Sequence, residues 1–306
     1  MVRRPMQSDI KPPNPTFVLQ GERERGQKAT NANTFFLNEL RPAPSLAERQ
    51  ASLARAVAAF MPLCVDPNQI TIAVAEPSGK LTVVQHRSAL DLWTVILGRH
   101  GASDILVRRG GISLRHMAIL HRPGSPLQVW DLRSGTSLLT VSGTRFHSGT
   151  VTAPAALAVD DAWLLVGRGP APASAWQNEP QPIFLGDGQS WLFTLEQYTI
   201  DYGEQRTPNA PDARSQLRAS PEHLERGVLL GRSERCDAPR EWPRYPSDLS
   251  RVHAMIVRNG ANVYLLDTAS SAQVTHRDLG LTRLKHLVPG DVFWLGRQTR
   301  LTCERA

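Results

Sequence analysis

The residues best suited to chemistry fall in two sets of matched composition. In the C-terminal half, Gly231-Arg232 closes one short apolar run and Ser250-Arg251-Val252-His253 opens the next. In the N-terminal half the same places are taken by Gly98-Arg99 and Ser113-Leu114-Arg115-His116. An arginine offers a planar fork that donates two parallel charge-assisted hydrogen bonds to an oxyanion, which a lysine cannot copy. The glycine before it admits a tight turn without side-chain obstruction. Motifs of the common enzyme classes are missing: there is no Gly-x-x-x-x-Gly-Lys-Ser/Thr loop, no Gly-x-Ser-x-Gly elbow, no His-Glu-x-x-His and no kinase motif set. Asp160-Asp161 is a carboxylate pair, yet its place in the repeat matches Gly290-Asp291 and reads as a turn. The 9 histidines show no helical ligand spacing, and His116 and His121 read as loop and strand residues. The expectation is a non-catalytic chain with neither cofactor nor metal.

The elements that must position these residues read as short strands. With 23 Pro and 22 Gly punctuating apolar runs, many rich in β-branched and aromatic residues, the class is all-β. Strands are expected over 70–74, 81–84, 93–97, 117–120, 128–132, 138–141 and 162–166. In the second half they are expected over 191–195 and 198–202, and again from 263. One helix interrupts the pattern. Ser45-Leu46-Ala47-Glu48 fits a capping box, and Leu46, Leu53, Val57, Phe60 and Met61 form an apolar stripe, predicting a helix over 45–62 that packs on the first sandwich or binds a partner. Residues 1–43 are rich in proline and mixed charge and predict a disordered tail. Residues 169–186 read as a proline-stiffened linker, and the polar stretch between Tyr202 and Val228 as a long surface loop.

A chain of 306 residues, 41% of them hydrophobic, is long enough for two domains with separate cores, placed at 66–168 and 187–306. The net charge of +7 is spread along the chain, and no aromatic RNA-binding motif, paired-cysteine zinc pattern or basic heptad accompanies it. Nucleic acid is therefore not the expected partner. Cys64, Cys236 and Cys303 are odd in number and widely spaced, which speaks against a disulfide framework and for a reducing compartment. The N-terminus lacks the apolar core of a secretory signal, and no run approaches the ~20 apolar residues of a membrane span, so a cytoplasmic location is expected.

Read together, Gly231-Arg232, Ser250-Arg251-Val252-His253, Val263-Tyr264-Leu265-Leu266-Asp267 and 287–296 stand in the order of the forkhead-associated domain, a phosphothreonine-binding β-sandwich, which this half resembles. Gly98-Arg99, Ser113-Leu114-Arg115-His116, 129–136 and 157–167 resemble it in a more divergent copy, so the resemblance implies two tandem modules. It implies that Arg232 with Ser250, and Arg99 with Ser113, hold the phosphate, that Arg251 adds a second cation, and that His253 and His116 are scaffold residues. Both copies depart from the family pattern. The first has Leu114 where the second has Arg251. An asparagine that holds the peptide backbone in the family is replaced by Thr136, which keeps one polar group, and by Ala272. The implied role is a phosphothreonine-dependent adaptor in Ser/Thr-kinase signalling, its partner a threonine-phosphorylated protein such as a kinase or its substrate. Thr16, Thr30 and Thr34 in the tail are candidate internal ligands. The alternative is a structural assembly or scaffold subunit, associated with secretion or transcription, that uses the fold without phosphate.

Overall fold

A computed structural model describes residues 44–86, 92–177, 179–183, 188–200, 206–208, 214–237 and 248–306. The expected disordered tail over 1–43, with Thr16, Thr30 and Thr34, lies outside them. Residues 44–306 form one unit.

The strands build four sheets that stack face to face. The first outer sheet runs in the order Leu81–His86, Ile70–Ala75, Ala162–Arg168, Ala155–Val159, Leu138–Leu139, Arg145–Phe146. The first inner sheet runs Ile105–Leu106, Trp93–Gly98, Met117–His121, Leu127–Asp131, Ser148–Val151. Ile72, Val74, Leu157 and Leu164 of the outer sheet meet Val95, Leu97, Ile119 and Val129 of the inner one in a single core. The second half repeats the plan. Its inner sheet runs Val228–Leu230, Ala254–Asn259, Asn262–Asp267, Leu284–His286, and its outer sheet is built on Trp191–Ile200, Thr299–Arg305, Val292–Leu295 and Val274–His276. Phe193, Leu230, Ile256, Leu265 and Phe293 fill the second core.

The two inner sheets pack against each other. Ile96, Ala118, Leu120 and Trp130 of the first sandwich form one apolar cluster with Leu229, Met255, Val257, Tyr264 and Leu266 of the second. Inner strands such as Trp93–Gly98 and Ala254–Asn259 are consequently buried along their whole length rather than at alternate residues. Several polar groups at this junction find partners across it. Trp130 Nε1 donates to Glu225 O (2.8 Å), and Arg133 donates to both oxygens of Asp237 (2.7 and 2.6 Å). Arg283 pairs with Asp104.

The helix forms over Leu46–Phe60, with the expected capping box of Ser45 and Glu48. Leu53, Val57 and Phe60 lie on the outer face of the first outer sheet, beside Ala73, Ala156, Trp163 and Leu165. Trp176, also in this cluster, belongs to a short 3-10 helix, Ala173–Gln177, so the stretch read as an extended linker is partly folded onto the first sandwich. The ring edge of Trp176 against Phe60 (centroids 5.4 Å apart) supplies the contact that the proline-rich composition hides. The stretch read as a surface loop also contains structure. Arg214–Ala219 pairs along Trp191–Ile200, turning Leu217 to the core, and Pro221–Arg226 forms a helix capped by Ser220. The strands expected over 191–195 and 198–202 are one strand, Trp191–Ile200; residues 201 and 202 lie outside the described residues. Asp160-Asp161 is a turn, between Ala155–Val159 and Ala162–Arg168, but its counterpart is the turn after Val292–Leu295, one hairpin later than Gly290-Asp291.

Candidate functional site

Each sandwich presents the Gly-Arg and Ser-x-x-His segments at the end of its inner sheet, and the same local bonds hold both pairs. A Cβ on Gly98 would stand 2.2 Å from Leu114 O, and one on Gly231 2.4 Å from Arg251 O, so the strand end can approach the serine loop only without a side chain. Arg99 N donates to Ser113 O (3.1 Å), and Arg232 N to Ser250 O (3.1 Å). His116 Nδ1 accepts from Ser113 N (3.1 Å) and its Nε2 meets Ser134 Oγ (3.2 Å); His253 Nδ1 accepts from Ser250 N (3.0 Å) and its Nε2 meets Gln273 O (2.9 Å). A ring that accepts on Nδ1 must carry its proton on Nε2, so both histidines are neutral struts of the serine loop. Burial pushes the His116 ring down to about 4 and lowers that of His253. The third segment is equally matched. Asp131 and Asp267 accept from Ser134 N (2.8 Å) and Ser270 N (2.7 Å), and Gly135 N and Ser271 N donate to Ser113 Oγ (3.4 Å) and Ser250 Oγ (3.2 Å).

From here the copies diverge. Arg115, buried at 7% exposure, reaches out of the first sandwich into the loops of the second. Its Nε donates to Thr268 O (2.8 Å), and its Nη2 donates to Ala269 O (2.7 Å) and, at a long 3.4 Å, to Ser250 Oγ. Ser250 is itself buried, and its hydroxyl also meets Ser271 Oγ (3.1 Å). The expectation that Arg232 and Ser250 form a phosphate grip is therefore corrected. The Ser250 hydroxyl is buried and met by an arginine of the other sandwich, while the exposed Arg232 side chain has no hydrogen bond or ion pair among the described residues. Burial lowers the Arg115 guanidinium from its ordinary value, with Asp267 acting in the opposite sense.

The opposite outcome holds at the first copy. Ser113 is half-buried and opens on a cleft of about 140 Å³ between the sandwiches. Arg99, Ser113 and Arg115 line it from one side, and Ser233, Arg235 and Arg251 from the other. Leu114, Leu132 and Val252 supply its apolar lining. Four arginines thus line the cleft, and no acidic residue is among the lining residues. Two of the four are already engaged. Arg115 is held as above, and Arg235 donates Nη1 to Arg133 O (2.8 Å). Arg99 and Arg251 are exposed and have no side-chain hydrogen bond or ion pair among the described residues. Leu114 leaves no gap in the charge here, because Arg251 of the second sandwich lines the same cleft. Thr136 spends its hydroxyl proton on Gly111 O (2.8 Å), tying the loop down rather than facing the cleft. Arg235 and Ser233 were not singled out from the sequence. Their signal was the run Gly231-Arg232-Ser233-Glu234-Arg235 itself, which only the packing of the sandwiches brings opposite Ser113.

Solved structures similar to this chain include forkhead-associated domains. The forkhead-associated domain of the CT664 protein from Chlamydia trachomatis is 19% identical, over 32% of this chain and 96% of that one, with a TM-score of 0.29. An Arabidopsis thaliana forkhead-associated domain is 18% identical over 39% and 87% (TM-score 0.25). Mycobacterium tuberculosis EmbR, solved with a low affinity phosphopeptide, is 17% identical over 33% and 25% (TM-score 0.27). No family model matches the chain, and no curated protein does. Among the described residues no helix is long and apolar enough to cross a membrane.

Proposed function

We propose that this chain is a phosphothreonine-dependent docking protein whose binding site is the cleft between its two sandwiches, centred on Arg99 and Ser113. The observation that supports the reading is that four arginines and no acidic residue line one small cleft. A phosphothreonine brings a charge of about −1.5 to −2 and three acceptor oxygens, which match an arginine fork and a serine hydroxyl. The partner is a threonine-phosphorylated protein of a Ser/Thr-kinase pathway, and the chain acts as an adaptor rather than a catalyst.

The test is a titration of phosphothreonine peptides and their unphosphorylated forms with the full chain and its Arg99→Ala and Ser113→Ala variants. A charge-assisted hydrogen bond is worth about 1.5–3 kcal/mol, so Arg99→Ala should weaken the phosphorylated peptide by roughly 10- to 100-fold. Arg232→Ala should do less, since the serine of its own loop is already bonded. Equal retention of phosphorylated and unphosphorylated peptides by the wild type would sink the reading. The burial of Ser250 favours a second reading, an assembly subunit that uses both sandwiches as a scaffold without phosphate. Phosphatase treatment of an extract before pull-down separates the two, since only the adaptor then loses its partners.

A further inference from the structure

The cleft holds more positive charge than one phosphate can use. An anion of about −2 on Arg99 and Ser113 leaves Arg251 and Arg235 on the wall that belongs to the second sandwich, with no acid lining the cleft to offset them. Neither forms an ion pair among the described residues: Glu234, directly before Arg235, is exposed and in no ion pair, and Asp237 is held by both of its oxygens to Arg133. Arg251 has no side-chain bond or ion pair among the described residues, and Arg235 commits only Nη1, to a carbonyl that carries no net charge. Like charges gathered in a confined, partly desolvated space destabilise one another until an anion is supplied.

We infer that the ligand of this cleft carries two anionic groups, the phosphothreonine on Arg99 and Ser113 and a second carboxylate or phosphate, close by in the same peptide, on Arg251 and Arg235. The inference rests on the docking reading above and adds what the partner must look like. It also assigns the second sandwich a direct part in recognition: its contribution comes through Arg251 and Arg235, while Ser250 is used to join the two halves.

The experiment uses fluorescence anisotropy with the full chain and four kinds of labelled peptide on one neutral backbone. One carries a single phosphothreonine. A second set adds one glutamate at each of the four positions on either side, and a third adds a second phosphothreonine at those positions. The fourth carries a glutamate at the far end of the peptide, as a control for charge alone. Expected is a gain of at least 10-fold for one or more of the near positions over the single phosphothreonine, and under 3-fold for the far one. Glutamate and phosphothreonine arms then tell which source of the second anion is preferred. Arg251→Ala should remove the gain, so that near-anion and singly phosphorylated peptides bind that variant within about 3-fold of each other, and Arg99→Ala should weaken every phosphopeptide. Arg251 is exposed and without a side-chain bond, so this variant should melt like the wild type, and Arg251→Lys should restore part of the gain. The inference is overturned if no near position gains more than 3-fold, if the far control gains as much, or if the gain survives Arg251→Ala, even though a single phosphothreonine binds through Arg99. Should no phosphopeptide bind at all, the docking reading falls and takes the inference with it.

Discussion

Removing the Arg115 guanidinium should weaken the whole chain, because that one side chain closes the junction between the sandwiches. The perturbation of choice is Arg115→Met, which keeps the aliphatic stem and deletes the donors. Two short bonds are lost, to Thr268 O at 2.8 Å and Ala269 O at 2.7 Å, together with the long one to Ser250 Oγ. Each charge-assisted bond is worth about 1.5–3 kcal/mol, and Thr268 is fully buried, so its carbonyl is left without a partner. Against this stands the cost of keeping a guanidinium at 7% exposure with no salt-bridged carboxylate, a cost the variant escapes. The balance is a loss of about 2–4 kcal/mol. Urea denaturation of the two proteins at neutral pH gives the difference from the shift in midpoint at constant slope. Arg115→Lys should fall between them, since an ammonium keeps the charge but cannot span two carbonyls as a fork does. A methionine variant within about 0.5 kcal/mol of wild type would refute the idea that this contact fastens the sandwiches.

Other consequences follow from the same geometry. His116 titrates near 4 when folded and near its ordinary 6.5 when unfolded, so protons favour the unfolded chain. Its contribution is complete above pH 6.5 and drains away as the pH falls toward 4, by about 3 kcal/mol in all, with His253 acting in the same direction; urea midpoints between pH 7 and 4.5 should fall, and less steeply in His116→Gln. Gly98→Ala would drive a Cβ to 2.2 Å from Leu114 O and should cost more than about 2 kcal/mol, as an overpacked contact with backbone that cannot rotate away; thermal melting reads it directly, with Gly79→Ala, which meets nothing within 4 Å but has a φ of +85°, as the control for backbone strain alone. Burial pushes the thiols of Cys64 and Cys236 up to about 11 and about 12, and raises that of Cys303 further. None should react with iodoacetamide at pH 8 until denaturant is added, and mass spectrometry counts the adducts.

Much of the architecture could be read from residue order. The capping box at Ser45 and Glu48 placed the helix within two residues of its ends, and the β-branched runs placed most strands of both sandwiches. What escaped was set by contacts between distant segments. Arg214–Ala219 is a strand because Leu217 reaches the second core, yet five polar or small neighbours mask that one apolar position. Trp176 folds the proline-rich stretch back because a cleft beside Phe60 and Cys64 receives it. The junction did leave a trace that was not used: runs such as Val95-Ile96-Leu97 and Ala254-Met255-Ile256-Val257 are apolar at every position, the pattern of a sheet covered on both faces rather than one. The site was legible only in part. The family resemblance points to Arg232, Ser250, Arg251, Arg99, Ser113 and Thr136 alike, and nothing in either motif says that Ser250 would be covered or that Arg251 would line the same cleft as Ser113.

The division of labour between the copies follows from a one-residue offset. After the serine, the first copy reads Leu114-Arg115 and the second Arg251-Val252, so each has one apolar residue and one arginine in opposite order. Both positions line the cleft in both copies, but only the second is buried, Arg115 at 7% exposure and Val252 also at 7%. With arginine in the buried place, the first copy extends donors into its neighbour's loops, to Thr268 O, Ala269 O and, at longer range, Ser250 Oγ. With valine there, the second copy has no donor to send back, so Ser113 stays open to the cleft. With arginine in the outward place, the second copy instead returns a cation to the rim of the site it leaves unblocked. The two features that make each motif look incomplete when taken alone, Leu114 in one and a buried Ser250 in the other, are thus linked by one arrangement, since both copies' motif residues line one cleft between the sandwiches.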